Sequence, residues 1–496
     1  MAEPGGGSVW ESNPPPTCLE PDAGFEVREA HRDPRRFRFH ESARNQGGSV
    51  YHRARDLLGG SPGASPGACY PRLMSRMRDG LLVAGVFPAL LVGVLAGGQL
   101  GAAQGSPGRP LSVDRPPSVE EEQFLERHWR MPIPLQGEAP ASFTPIERSL
   151  APRDCGTCHP TQYQDWRESI HARSLGPGIA GQLVEMARRD PAGARGCLVC
   201  HAPLTEQSPL TRGPAGLGAN PAFDAELQRE GIVCASCHVR QHQRFGPPPR
   251  PGAQGLRVPR AQLPHNGATY TSAYLRAEFC AACHQFGPSG ASLNGKPLEN
   301  TYAEWRTSDA ARRGLQCQNC HMPDRRHRWR GIHDPEMVKS GVRVSVTVDR
   351  ARYRPGQHLR ATVMVASVKV GHYFPTYITP QVVVQALLVD PEGRTVADST
   401  KEGRIGRQVP LDLSREIADT RIPPGGRFVL RYERALDRPG LTLRVTVTVY
   451  PDHFYTGFFE ALLATGAGAG EAELREALEA TRRSPFPIFS RDVPLT

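Results

Sequence analysis

Between residues 155 and 321 one five-residue pattern occurs five times. The copies are Cys155-Gly-Thr-Cys158-His159, Cys197-Leu-Val-Cys200-His201, Cys234-Ala-Ser-Cys237-His238, Cys280-Ala-Ala-Cys283-His284 and Cys317-Gln-Asn-Cys320-His321. Two thiols at this spacing reach the two vinyl groups of one porphyrin, and the His that follows sits beneath the ring as proximal iron ligand. Zinc sites pair C-x-x-C units without a His after each, and disulfides need no His at all. The pattern therefore predicts five covalently attached haem c groups, held by these ten cysteines and five histidines.

Five porphyrins in about 185 residues leave too little protein per cofactor for a conventional core. The expected architecture is a multidomain α+β chain. A haem-packed, mostly α/loop pentahaem domain (151–335) is followed by an antiparallel β-sandwich (338–450) and a C-terminal helical segment and tail (456–496). The β assignment rests on alternation at Val342-Val344-Val346-Val348, near 361–370 and at 441–449, with turns at Pro355-Gly356 and Pro424-Gly425-Gly426. A Pro-rich lead-in (104–150) carries one short acidic helix near Glu120 to Trp129.

Residues 1–73 are Gly-, Pro- and Arg-rich and read as a disordered, mis-called extension. Arg72 to Arg78, the apolar run from Leu81 to Leu95 and the small residues ending at Ala103 form a secretory signal over 74–103. The alternative is an uncleaved anchor, the only route to a membrane. Either way the haem region is exported, to the periplasm or the cell surface. Cys18 and Cys69 both precede that segment, so the exported part keeps no cysteine outside the motifs. The formal charge of +10 omits two propionates per haem, which suit the forked donors of Arg. Without a recognisable nucleic-acid-binding module, the charge does not argue for a nucleic-acid partner.

Each iron needs a sixth ligand if the haems are bis-His. His171, His265, His327, His333 and His372 are the candidate distal ligands. His242, four residues from His238, is too close to cap that iron and is left to cap a neighbour or to sit in solvent; His128, His358 and His453 read as surface or hydrogen-bonded residues. Tyr163-x-x-Trp166-x-x-Ser169-x-His171-Ala172 is matched by Tyr302-x-x-Trp305-x-x-Ser308-x-Ala310-Ala311, so each set is expected along one helical face. The second copy has Ala310 where the first has His171.

Cys158-His159-Pro160-x-Gln162-Tyr163-x-x-Trp166-x-x-Ser169-x-His171-Ala172 resembles the opening motif of multihaem cytochromes related to the tetrahaem electron acceptor of hydroxylamine oxidoreductase. Phe279-Cys280 to Phe286, Asn294 to Pro297, Cys320 to Pro323 and Gly371-His372-x-Phe374-Pro375-Thr376 are similar to later landmarks of that family. The resemblance spans about residues 125–376 and implies electron transfer, with His171 and His372 as distal ligands. A fifth haem and an appended β-domain depart from the tetrahaem pattern.

Closely spaced low-spin haems suit a carrier that passes single electrons in a respiratory pathway between quinol-linked or other cytochrome partners. The alternative is a multihaem oxidoreductase with one five-coordinate haem acting on a small nitrogen or sulfur compound. No C-x-x-C-K motif supports it, but Ala310 leaves room for one uncapped iron. A third role for the β-domain is docking, of a partner or of further copies of the chain.

Overall fold

The computed structural model describes residues 115–495, apart from 215 and 253–257. The expected extension and signal segment lie outside the described residues. Among the described residues no helix is long and apolar enough to cross a membrane.

The lead-in contributes α1 (Val119–His128). Ser118 caps its start reciprocally with Glu121, three glutamates occupy the first turn, and Arg127 and His128 occupy the last. The chain then bends at Met131 and Pro132 and reaches Ile133, fully buried, where backbone bonds join it to Pro203 and Thr205. The lead-in is thus bonded to the haem region.

All five motifs lie on short helices: at the end of α2 (Pro152–Cys158), at the end of α5 (Pro191–His201), on α6 (Cys234–His238), at the end of α7 (Glu278–His284) and on α10 (Cys317–His321). A helical turn sets the two cysteines on one face, with the His one residue further round. Between them run α3 (Pro160–Glu168), α4 (Pro177–Arg189), α8 (Thr301–Arg306) and α9 (Asp309–Arg312).

The two sequence copies are not single helices, contrary to the expected spacing. The first stops at Glu168 and resumes as a 3-10 turn at His171–Arg173; the second breaks between α8 and α9. The serines cause the break. Ser169 Oγ accepts the Ala172 N–H at 3.4 Å and Ser308 Oγ accepts the Ala311 N–H at 3.2 Å, so each serine opens a new turn.

The β region has two main antiparallel sheets, beside a two-stranded one that pairs Arg407–Gln408 with Ala418–Asp419. One has the order β5–β2–β1, from β1 (Val342–Val348), β2 (His358–Ser367) and β5 (Arg427–Ala435); the other has β4–β3–β6–β7, from β3 (Gln381–Val389), β4 (Lys401–Ile405), β6 (Thr442–Tyr450) and β7 (Phe486–Pro494). Val363 lies opposite both Val346 and Leu430, and Val384 opposite Val447. These residues belong to one apolar cluster filling the space between the sheets.

The expected end of the β region at 450 is corrected by β7. The tail after Ser484 returns as an edge strand on β6, so α11 (His453–Thr465) and α12 (Glu471–Arg483) are an excursion between two strands. That excursion packs on the haem region. The Gly181 carbonyl approaches Gly470 so closely that a Cβ there would lie 2.1 Å from it, and Glu185 accepts the Ala469 N–H at 2.9 Å.

Candidate haem-ligating site

The motif helices lie against one another. Cys155 meets Cys234, Cys200 meets Cys283, and Cys280 meets Cys317. The first motif is thus beside the third, the second beside the fourth, and the fourth beside the fifth.

Three motif histidines face a second histidine. The ring centroids of His284 and His171 are 6.4 Å apart, those of His238 and His327 6.1 Å, and those of His321 and His372 6.3 Å. An iron bonded to two imidazole nitrogens at about 2 Å each places the ring centroids about 6 Å apart. These pairs therefore fit one iron each.

The outer ring nitrogens are held by the backbone. Nδ1 donates to the Ser174 carbonyl from His201 (2.6 Å), to Phe245 from His238 (2.8 Å) and to Arg330 from His321 (2.6 Å). His327, His372 and His265 donate in the same way to Arg325 (3.0 Å), Tyr373 (2.8 Å) and Gly267 (3.1 Å). A bond at Nδ1 leaves the Nε2 lone pair for a metal. Burial holds the pKa of His171 down to about 3 and those of His238 and His372 to about 4, which keeps these rings in the neutral, ligating form. His284 differs. Burial lowers its pKa, but Glu299, 3.8 Å from Nδ1, outweighs that and raises it. The Tyr377 hydroxyl of the β region lies 3.0 Å from the same nitrogen.

The remaining candidates separate by what Nε2 does. His265 sits in a left-handed loop (φ +43°) with its N–H on Glu147 at 2.6 Å. Its pKa is lowered by burial first, then by Arg244 and His159, which places it near the first motif. His333, by contrast, is not brought to a motif histidine. Its Nε2 meets Asp452 at 2.9 Å, because the turn carrying it faces α11. Nε2 also bonds a carbonyl in His128 (Cys237, 2.7 Å) and His242 (Gly137, 3.0 Å). Expected at the surface or in a hydrogen bond, His128 is buried among Phe124, Trp129, Phe245, Tyr274 and Phe279.

Sequence reasoning missed the residues behind the ligands. Asp165, 3% exposed, accepts Arg326 Nε and Nη2, both at 2.6 Å, and the His327 N–H at 3.0 Å. Arg326 in particular holds its pKa down to about 2. Glu304, 4% exposed, accepts Arg421 Nη1 at 2.8 Å, the Tyr373 N–H at 3.1 Å and Thr376 Oγ1 at 3.0 Å. Their signal was available, since each is the acid immediately before the Trp of a repeat copy.

Residues 154–239 match the family described as cytochrome c554 and c-prime. Over 162 residues the chain is 26% identical to cytochrome c-554 of Nitrosomonas europaea, covering 30% of this chain and 61% of that protein. The match thus spans less than two thirds of the relative's length. Among solved structures, a penta-heme cytochrome c552 from Thermochromatium tepidum superposes with a TM-score of 0.49 at 19% identity, over 71% of this chain and 100% of that one.

Proposed function

We propose that this multihaem c-type cytochrome, related to cytochrome c554, is an exported pentahaem carrier that passes single electrons along its haems in a respiratory pathway. Bound haem supplies an iron that stores one electron at a potential set by its ligands and surroundings. The protein brings two imidazoles together at iron-spanning distance, ties His238, His321, His327 and His372 to backbone carbonyls through Nδ1, and brings the motifs into contact. The observation that carries the reading is the set of three histidine pairs at iron-spanning distance. His265 is the candidate partner of His159. The site for the chain is the periplasm, and its partners are other redox proteins, quinol-linked or other cytochromes.

A second reading is favoured by one residue. Among the described residues neither His159 nor His201 forms a close ring pair with another histidine, but His265 lies near His159, whereas none of the candidate histidines is placed beside His201, whose Nδ1 is tied to Ser174. An iron held there with an open face would suit catalysis on a small nitrogen or sulfur compound.

Low-temperature electron paramagnetic resonance of the oxidised holo-protein, with its mass to count haems, tests both readings. Only low-spin signals support the carrier; one high-spin signal that His201→Ala alters moves the assignment to catalysis. Turnover of hydroxylamine or nitrite at ordinary enzymatic rates would end the carrier reading.

A further inference from the structure

The duplicated Tyr-x-acid-Trp segment does the same two things in both copies. Its Trp holds the start of a haem motif: Trp166 Nε1 donates to the Ile232 carbonyl at 2.7 Å, and Trp305 Nε1 to the Leu315 carbonyl at 2.9 Å. Ile232 and Leu315 each stand two residues before the first cysteine of a motif, Cys234 and Cys317. The neighbouring acid holds a second loop. Asp165 takes the backbone N–H of His327, and Glu304 that of Tyr373, next to His372. The two ends converge on one histidine pair each time, since His327 faces His238 of the third motif and His372 faces His321 of the fifth.

We propose that Asp165 and Glu304 are equivalent positioning residues, each delivering a distal histidine to the haem whose motif the adjacent Trp holds. The inference rests on the axial pairing of His327 with His238 and of His372 with His321. Both acids are buried and each is neutralised by arginine from its target side: Arg326 and Arg328 beside His327, and Arg421 beside the His372 loop. Arg421 is buried with Glu304, whereas Arg326 and Arg328 are half-exposed over the buried Asp165; in both copies the directional arginine–carboxylate bonds hold the loop to the repeat. In the second copy the loop comes from the β region and is seated on the repeat itself: a Cβ on Gly371 would lie 3.0 Å from Ala310 Cβ and 3.5 Å from Trp305. The small residue at 310 thus makes room for the backbone that carries His372. The two clamps share the buried acid, the arginine and the backbone N–H they accept, which is that of the histidine itself at His327 and that of its neighbour Tyr373 at His372.

The test is electron paramagnetic resonance of the oxidised full-length holo-protein, comparing Asp165→Ala, Glu304→Ala, His327→Ala and His372→Ala. Each acid variant is expected to make one further iron high-spin, matching the variant of its own histidine. Added imidazole should restore the low-spin signal, and Asp165→Ala/Glu304→Ala should expose two irons. If the histidine variants expose an iron and the acid variants do not, the positioning role is overturned and the axial pairing stands. If the histidine variants change nothing, the axial pairing fails and takes this inference with it. Should the alanine variants not accumulate, Asp165→Asn and Glu304→Gln are read by carbon monoxide binding to the reduced protein. A several-fold faster reaction at one iron in each is expected; a rate equal to the parent's overturns the proposal.

Discussion

The β region gathers twenty-five buried apolar side chains into one continuous cluster, whereas the described residues of the motif-bearing segment divide theirs among separate clusters of seven, three and three. The sandwich can bury each inner face against the other. The motif segment has short helices with little apolar surface to share, and its helices carry cysteines and histidines where a bundle would carry leucine. Its buried residues instead satisfy backbone and hold ligands, as Trp166, Trp305, Asp165 and Glu304 do. The lesson is that one region has a continuous side-chain core of its own, whereas the other carries its haem motifs where such a core would lie.

The sharpest way to break this contrast is to make the chain without attaching haem. Hydrogen exchange is expected to show strong protection over β2, β3, β5 and β6 and loss of protection over the five motif helices. Joint loss in both regions would mean that the β region depends on the haem segment. A second effect separates the cores. Leu443→Ala removes a fully buried side chain and should cost about 2–5 kcal/mol in the unfolding of the β region. The visible spectrum of most haems should be left in place, as read by denaturant titration with both probes.

The smallest expected effect is in acid. The Asp349 carboxylate, at the β1–β2 connection, accepts the Tyr353 hydroxyl at 2.5 Å and the Arg360 N–H at 3.0 Å. The Tyr353 bond is the largest influence and holds its pKa below the usual carboxylate range, against the opposing effect of burial. A depressed carboxylate contributes stability above its unfolded value, about pH 4, and that contribution fades as pH falls through the folded value. Asp349→Asn should therefore lose about 1 kcal/mol at neutral pH and less in acid. An equal loss at every pH would remove the charge from the explanation.

The sequence alone determined the covalent chemistry and much of the layout. Five repeated signatures name the cofactor, because attachment needs residues within a single helical turn. The strands of the sandwich were also readable, since alternation over seven to ten residues is local. The edge strand at Phe486–Pro494 was not. Its sequence alternates poorly, and it is a strand because β6 offers it an open edge. The distal histidines show the same limit. His171 and His372 were legible from the motifs around them, yet nothing local distinguishes His327 from His333, which meets Asp452. Which histidine faces which motif is decided by chain segments 51 to 113 residues apart, brought together by the clamps at Asp165 and Glu304 and by the packing around Trp329. A ligand held across such distances is a property of tertiary structure, because no local backbone preference can place its ring opposite another.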